Sequence, residues 1–128
     1  MTILLVEDDE DDRSLFLEAL KEVDKTITCI PVANGQDALL YLKDAANLLP
    51  QYIFLDLRMP GLSGRQTLEA IVKDPRLAPV PVIVYTTSRE LKESKELKDL
   101  GAVHFMSKPV SPDDVYYMLS FVLGEKWS

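Results

Sequence analysis

The stretch Tyr52–Gly64, Tyr-Ile-Phe-Leu-Asp-Leu-Arg-Met-Pro-Gly-Leu-Ser-Gly, constrains the fold more than any other. Its first half is a short apolar run without polar alternation, the pattern of a strand covered on both faces, and such strands belong to parallel sheets flanked by helices. The run stops at a carboxylate, Asp56. Turn chemistry follows: Pro60 fixes its own φ and restricts Met59, while Gly61 and Gly64 allow backbone conformations that a residue with a Cβ resists. Open α/β sheets place their ligands outside the carboxyl ends of central strands, so Asp56 is the lead candidate for chemistry.

The same strand-then-helix unit recurs along the chain. Ile3–Val6 is aliphatic and empties into Glu7-Asp8-Asp9-Glu10-Asp11-Asp12. A helix is predicted over Asp11–Val23 with Phe16, Leu20 and Val23 inward and acids in its first turn, where they suit the positive helix end. Thr26–Ala33 is β-branched but holds Pro31, which cannot donate to a ladder and predicts an edge strand. Asn34 caps a second helix to about Leu42, with Ala38, Leu39 and Leu42 inward. Gln51–Asp56 is the third strand, and a third helix starts at Ser63 or Gly64, carries Leu68, Ile71 and Val72 inward and ends at Asp74-Pro75. Pro79–Thr86 is a fourth buried run. A charged helix over Arg89–Leu100 is closed by Gly101 as a left-handed cap. Ala102–Ser107 is a short fifth strand, and Ser111-Pro112-Asp113-Asp114 opens a last helix to about Leu123. Five β-α units predict an α/β fold: a doubly wound, five-stranded parallel sheet with five helices and right-handed crossovers.

Residues 1–128 have length for one domain and no room for a second folded module, so no output domain is expected. No apolar run reaches the ~20 residues of a membrane-spanning helix, the N-terminus lacks a signal-peptide pattern, and the single Cys29 excludes an internal disulfide. A cytoplasmic protein is expected, with Cys29 an inert small hydrophobe. The 21 acidic and 14 basic residues give a net charge of −7, which disfavours nucleic acid and anionic membrane as partners and favours cations or a basic protein surface.

Four strand ends carry a polar group: Glu7 and Asp8, Asp56, Thr86, and Lys108. In a parallel sheet they share one edge. Three carboxylates so gathered repel one another, and a hard cation such as Mg²⁺ relieves the repulsion. Cation, carboxylate, hydroxyl and ammonium together form an inventory for phosphoryl transfer, with Asp56 as the nucleophile that forms an acyl phosphate.

In these residues the chain resembles the receiver domains of two-component response regulators, of the single-domain, chemotaxis-regulator type. Glu7-Asp8 resembles the family's acidic pair; Asp56, Met59, Pro60 and Gly64 match its Asp-x-x-Met-Pro-x-x-x-Gly motif; Thr86, Phe105 and Lys108-Pro109 match the switch hydroxyl, the switch aromatic and the lysine before proline. The resemblance implies a flavodoxin-like sheet of order 2-1-3-4-5. It also implies a phosphoacceptor, not a metabolic enzyme: Asp56 takes a phosphoryl group from a sensor histidine kinase or phosphotransfer protein, and Mg²⁺ is held by Asp8, Asp56 and the backbone carbonyl of Arg58, with Glu7 acting through water. Thr86 and Phe105 would switch state, Lys108 would pair with the phosphoryl oxygens, and a downstream protein target would read the result.

Each residue alone has a plainer meaning. A strand-end Asp is usually a turn or cap residue, an acidic run is usually solvated, and Glu10, Asp11 and Asp12 read as helix-start charges. Thr86 alone is a strand terminus and Lys108 a surface lysine; Phe105 is core by default and His104 an exposed, incidental side chain. The Arg58 side chain and Ser88 occupy positions that in the family influence how long the phosphoryl group survives. The last helix buries Val115, Met118, Leu119 and Val122, which leaves Tyr116, Tyr117, Phe121 and Trp127 over. Left-over aromatics of this kind mark a partner surface, and the resemblance implies that the face of fourth helix, fifth strand and last helix is where a homodimer forms or a target docks, the bland alternative being that they cover the end of the chain. Three other readings are weaker. A haloacid-dehalogenase-like phosphatase needs an Asp where Arg58 stands, a flavin carrier needs a phosphate-cradling loop where the first acids are, and a degenerate receiver serving as a scaffold would not need Asp56, Thr86 and Lys108 together.

Overall fold

The computed structural model describes residues 1–57, 61, 63–86, 98–109 and 111–124. Strands β1 (Thr2–Val6), β2 (Thr28–Val32), β3 (Tyr52–Leu55), β4 (Val82–Thr86) and β5 (His104–Ser107) form one sheet of order β2-β1-β3-β4-β5, all neighbours parallel. The expected order is therefore observed, with Pro31 on an edge strand. Helices α1 (Glu10–Val23), α2 (Gly35–Lys43) and α3 (Gly64–Lys73) follow the first three strands, and a C-terminal helix, Pro112–Gly124, follows β5. Residues 98–100 are helical and belong to the helix expected over Arg89–Leu100, most of which lies outside the described residues.

Local chemistry starts each helix. Asp9 caps α1 by accepting from the Asp12 amide at 3.0 Å, and Asn34 caps α2 by accepting from Asp37 at 2.8 Å. Ser63 and Gln66 form a reciprocal capping box on α3. The Ser111 hydroxyl accepts from the Asp114 amide at 3.2 Å ahead of Pro112, as the sequence predicts. The cap at Asp9 starts α1 one residue earlier than expected.

Alternation along the strands sorts the core into two layers. Leu4, Val6, Ile53, Leu55, Val82 and Val84 face Ala38 and Leu42 of α2 and Leu68 and Ile71 of α3. Ile3, Leu5, Phe54, Ile83 and Tyr85 face Phe16, Ala19 and Leu20 of α1 and Val115, Met118, Leu119 and Val122 of the C-terminal helix. Burying a large apolar side chain contributes roughly 1.5–3 kcal/mol, so both layers hold the sheet firmly.

Some expectations need correction. Val72 is 37% exposed and not inward; it lies under Gly101, where an added Cβ would fall 2.6 Å from Val72 Cγ2, and α3 buries Thr67 in its place. Gly101 has φ +118, in the positive region the sequence assigns to it. β4 begins at Val82 and not at Pro79, because Pro79 and Pro81 have no amide hydrogen for a ladder and residues 75–80 form turns. β3 and β5 are likewise shorter than predicted.

Candidate functional site

Backbone hydrogen bonds carry the sheet right up to the acids. The Glu7 amide donates to the Val32 carbonyl at 3.0 Å and the Asp56 amide to the Val6 carbonyl at 3.1 Å. Both carboxylates are thereby fixed at adjacent strand ends, and both are buried, Glu7 at 0% and Asp56 at 2% exposed. Asp8 is exposed beside them. One carboxylate oxygen from each of Glu7, Asp8 and Asp56 lies within 4.8 Å of the others.

Gly64 explains the tight turn after Asp56. A Cβ there would fall 2.5 Å from the Asp56 carbonyl oxygen and 2.5 Å from Leu57 Cα, and the Gly64 amide donates to the Leu57 carbonyl at 3.2 Å. Gly61 has φ +76, a conformation glycine adopts without strain.

Lys108, just beyond β5, closes the site. Its Nζ lies 2.6 Å from Glu7 Oε1, 2.9 Å from Asp56 Oδ2 and 3.0 Å from Asp12 Oδ2. Burial disfavours the ammonium, but bonds to Glu7, Asp56 and Asp12 outweigh it and hold the Lys108 pKa above its ordinary value. Burial dominates at Glu7, and with the Asp56 charge it pushes the carboxyl up to about 7 against the pull of Lys108. Tyr85 donates its hydroxyl to Glu7 Oε1 at 3.0 Å; burial and then the Glu7 charge raise its pKa well above that of a free phenol.

The structure thus brings Glu7, Asp8, Asp56 and Lys108 together. Thr86 ends β4 opposite Ser107, at the same edge, while its hydroxyl is outside what the structure describes. Arg58, Met59, Pro60, Ser88 and Trp127 lie outside the described residues. Phe105 is half-buried, packed on the aliphatic layer with Lys98 Nζ 5.3 Å from its ring centre. His104 is not an exposed bystander: it is half-buried, its ring 6.4 Å from Phe105 and 6.2 Å from Phe121, and burial and the Lys98 charge lower its pKa. On the last helix Tyr116 packs partly into the core, whereas Tyr117 and Phe121 are 68% and 53% exposed.

Three side chains at the site escape the sequence reading. Asp12 reaches Lys108 because it stands four residues before Phe16 and so shares the inward face of α1, a spacing that could have exposed it. Tyr85 is the hydroxyl-bearing residue in an otherwise aliphatic run. Arg13 Nη1 donates to the carbonyls of Glu7 at 2.9 Å and Asp8 at 3.1 Å, holding the turn that presents both acids.

The family model of the response regulator receiver domain matches residues 3–120. The chain belongs to this family. The probable methanogenesis regulatory protein FilR2 of Methanothrix harundinacea is 31% identical to this receiver over 88% of the chain and 75% of the relative. Response regulator Rcp1 of Synechocystis is 31% identical over 91% of the chain and 82% of the relative. In its Mn²⁺-bound form Rcp1 superimposes with a TM-score of 0.84, covering 94% of this receiver and 90% of that chain at 30% identity. The phosphorylated cyanobacterial phytochrome response regulator RcpA gives 0.85 at 30% identity, with 94% and 89% coverage. Among the described residues no helix of the receiver is long and apolar enough to cross a membrane.

Proposed function

We propose that residues 1–128 work as a single receiver unit in which Asp56 is the phosphoacceptor. The observation that carries this reading is the buried Asp56 carboxylate at a strand end, 2.9 Å from Lys108 Nζ and grouped with Glu7 and Asp8. An Asp56 oxygen attacks the phosphorus of a phosphohistidine on a sensor kinase or phosphotransfer protein. The N–P bond breaks, the imidazole leaves with its electron pair, and an acyl phosphate remains; water later returns the carboxylate and phosphate. Lys108 gives up part of its hold on the carboxylate oxygens to pair with the phosphoryl oxygens. Thr86 then bonds the phosphoryl group and biases Phe105 between two positions.

The donor set suits a divalent cation: all oxygen, two of three carboxylates desolvated, and one ammonium against three acids. Asp8, Asp56 and the Arg58 carbonyl hold it in this reading, with Glu7 acting through water; Mg²⁺, when bound, supplies charge neutralisation at the transferring group. That the structurally similar Rcp1 has a Mn²⁺-bound form supports a divalent ion as a ligand here. Output is by protein contact, for which the exposed Tyr117 and Phe121 beside His104 form an apolar face for a second copy or a target protein.

Incubation with acetyl phosphate and Mg²⁺ should add one acid-stable, base-labile phosphoryl group, seen by intact mass, and Asp56→Asn should add none. Equal labelling of both proteins would sink the assignment, and no labelling of either would favour the scaffold reading. The same samples in sedimentation show whether the apolar face pairs two copies; monomers in both states at high concentration would leave only a different protein as its occupant.

A further inference from the structure

Tyr85 does more than fill the core. Its ring is clamped 6.0 Å from Phe16 and 6.3 Å from Phe54, with Lys108 Nζ 5.5 Å from the ring centre on the side of the acids. A ring held on two sides has few rotamers open to it, so its hydroxyl has a fixed address. That address is Glu7 Oε1, 3.0 Å away.

Glu7 is a glutamate in the acidic pair, and its side chain has one more rotatable bond than aspartate. Being fully buried, it needs each oxygen satisfied. Oε1 takes two donors, the Tyr85 hydroxyl and the Lys108 ammonium at 2.6 Å. Oε2 takes one, the Asp9 amide at 3.2 Å. A carboxylate oxygen has about two acceptor sites, so Oε1 is filled and Oε2 keeps one, on a carboxylate that the structure groups with those of Asp8 and Asp56.

We propose that Tyr85 is a positioning residue of the divalent-cation centre: its hydroxyl occupies Glu7 Oε1 and turns Oε2 toward the ion's water shell. This rests on the cation reading above. A second shell of this kind fixes the ligands' orientation and is commonly worth 10–100-fold in metal affinity. Phenylalanine would fill the same volume, so a purely structural Tyr85 and a positioning Tyr85 predict different results.

The test uses the full chain with Mn²⁺ as probe, free ion being followed by electron paramagnetic resonance. Tyr85→Phe should bind Mn²⁺ about tenfold more weakly than wild type, at the lower end of that range. Wild type should also show a tyrosine near-ultraviolet difference band on adding Mn²⁺, because the ion draws charge from Glu7 and weakens the hydroxyl bond. The band should vanish in Tyr85→Phe although Tyr41, Tyr52, Tyr116 and Tyr117 remain. Unchanged affinity in a folded Tyr85→Phe, or no tyrosine band in a wild type that binds Mn²⁺, overturns the proposal while leaving the cation centre intact. The band needs no variant, so a misfolded Tyr85→Phe does not protect the idea. A wild type that binds no Mn²⁺ overturns the cation reading and this inference with it.

Discussion

The fully buried strand residues between the sheet and α2–α3 are all aliphatic, with the half-buried Phe105 of β5 against them, whereas the layer facing α1 and the C-terminal helix contains Phe16, Phe54 and Tyr85 in mutual ring contact. The strands are the same; alternation alone decides which side chains go where. The fully buried residues of the aliphatic layer offer the carboxyl edge volume and rigidity. The aromatic layer ends in a phenol whose polar tip emerges among the acids, so both layers stabilise the sheet and the aromatic one in addition connects packing to the chemistry of Glu7.

The largest effect that could break this division is expected at Leu68, buried on the aliphatic side. Leu68→Ala should cost about 2–5 kcal/mol in urea unfolding, as cavity-forming changes do, without altering Mn²⁺ affinity of the folded protein. A drop in affinity as large as that of Tyr85→Phe would erase the distinction.

Glu7→Gln probes the polar end of the aromatic side. The folded Glu7 carboxyl, raised mainly by burial from 4.5 to about 7, holds its proton more tightly than the unfolded chain does. Its contribution is therefore present below pH 4.5 and is lost as pH rises toward 7. Without metal, wild type should lose up to about 3 kcal/mol relative to Glu7→Gln across that window, measured by urea titrations at both ends. A stability difference independent of pH would mean that the folded carboxyl is not raised and that the pull of Lys108 offsets burial.

The smallest effect is expected at Asp12, whose side chain is 42% exposed. Asp12→Asn should cost less than about 1 kcal/mol, the range of ion pairs that remain wet. A loss above about 2 kcal/mol would place Asp12 with the buried pair and extend the polar end of the aromatic layer into α1.

How much of this was legible in the sequence follows from where each residue stands on its element. Glu7, Asp56, Thr86 and Lys108 each end an apolar run, so their common edge could be read from the β-α alternation alone. The strand order needed the family resemblance, since nothing in the residues says that β1 lies between β2 and β3. Val72 was misplaced because helical spacing gives the direction of a side chain but not the extent of the surface that covers it. The pairing of Tyr85 with Glu7 was illegible because it joins residues 78 positions apart, through a hydroxyl on a residue that the run classifies only as apolar. Asp12 was hidden by its neighbours: it stands last in a row of six acids, and its place on the helical face of Phe16 brings it to the ammonium that Glu7, the first of the row, also reaches.

The missing side chain at Gly64 has a mechanical consequence. With helix and strand backbones touching at that point, and a hydrogen bond to Leu57 across the contact, β3 and the start of α3 behave as one welded piece. Any side chain at position 64 would have to push α3 off the strand end that carries Asp56. The Lys108 ammonium adds a second tie, from Asp56 to the end of β5, so the carboxylate is anchored to two elements at once.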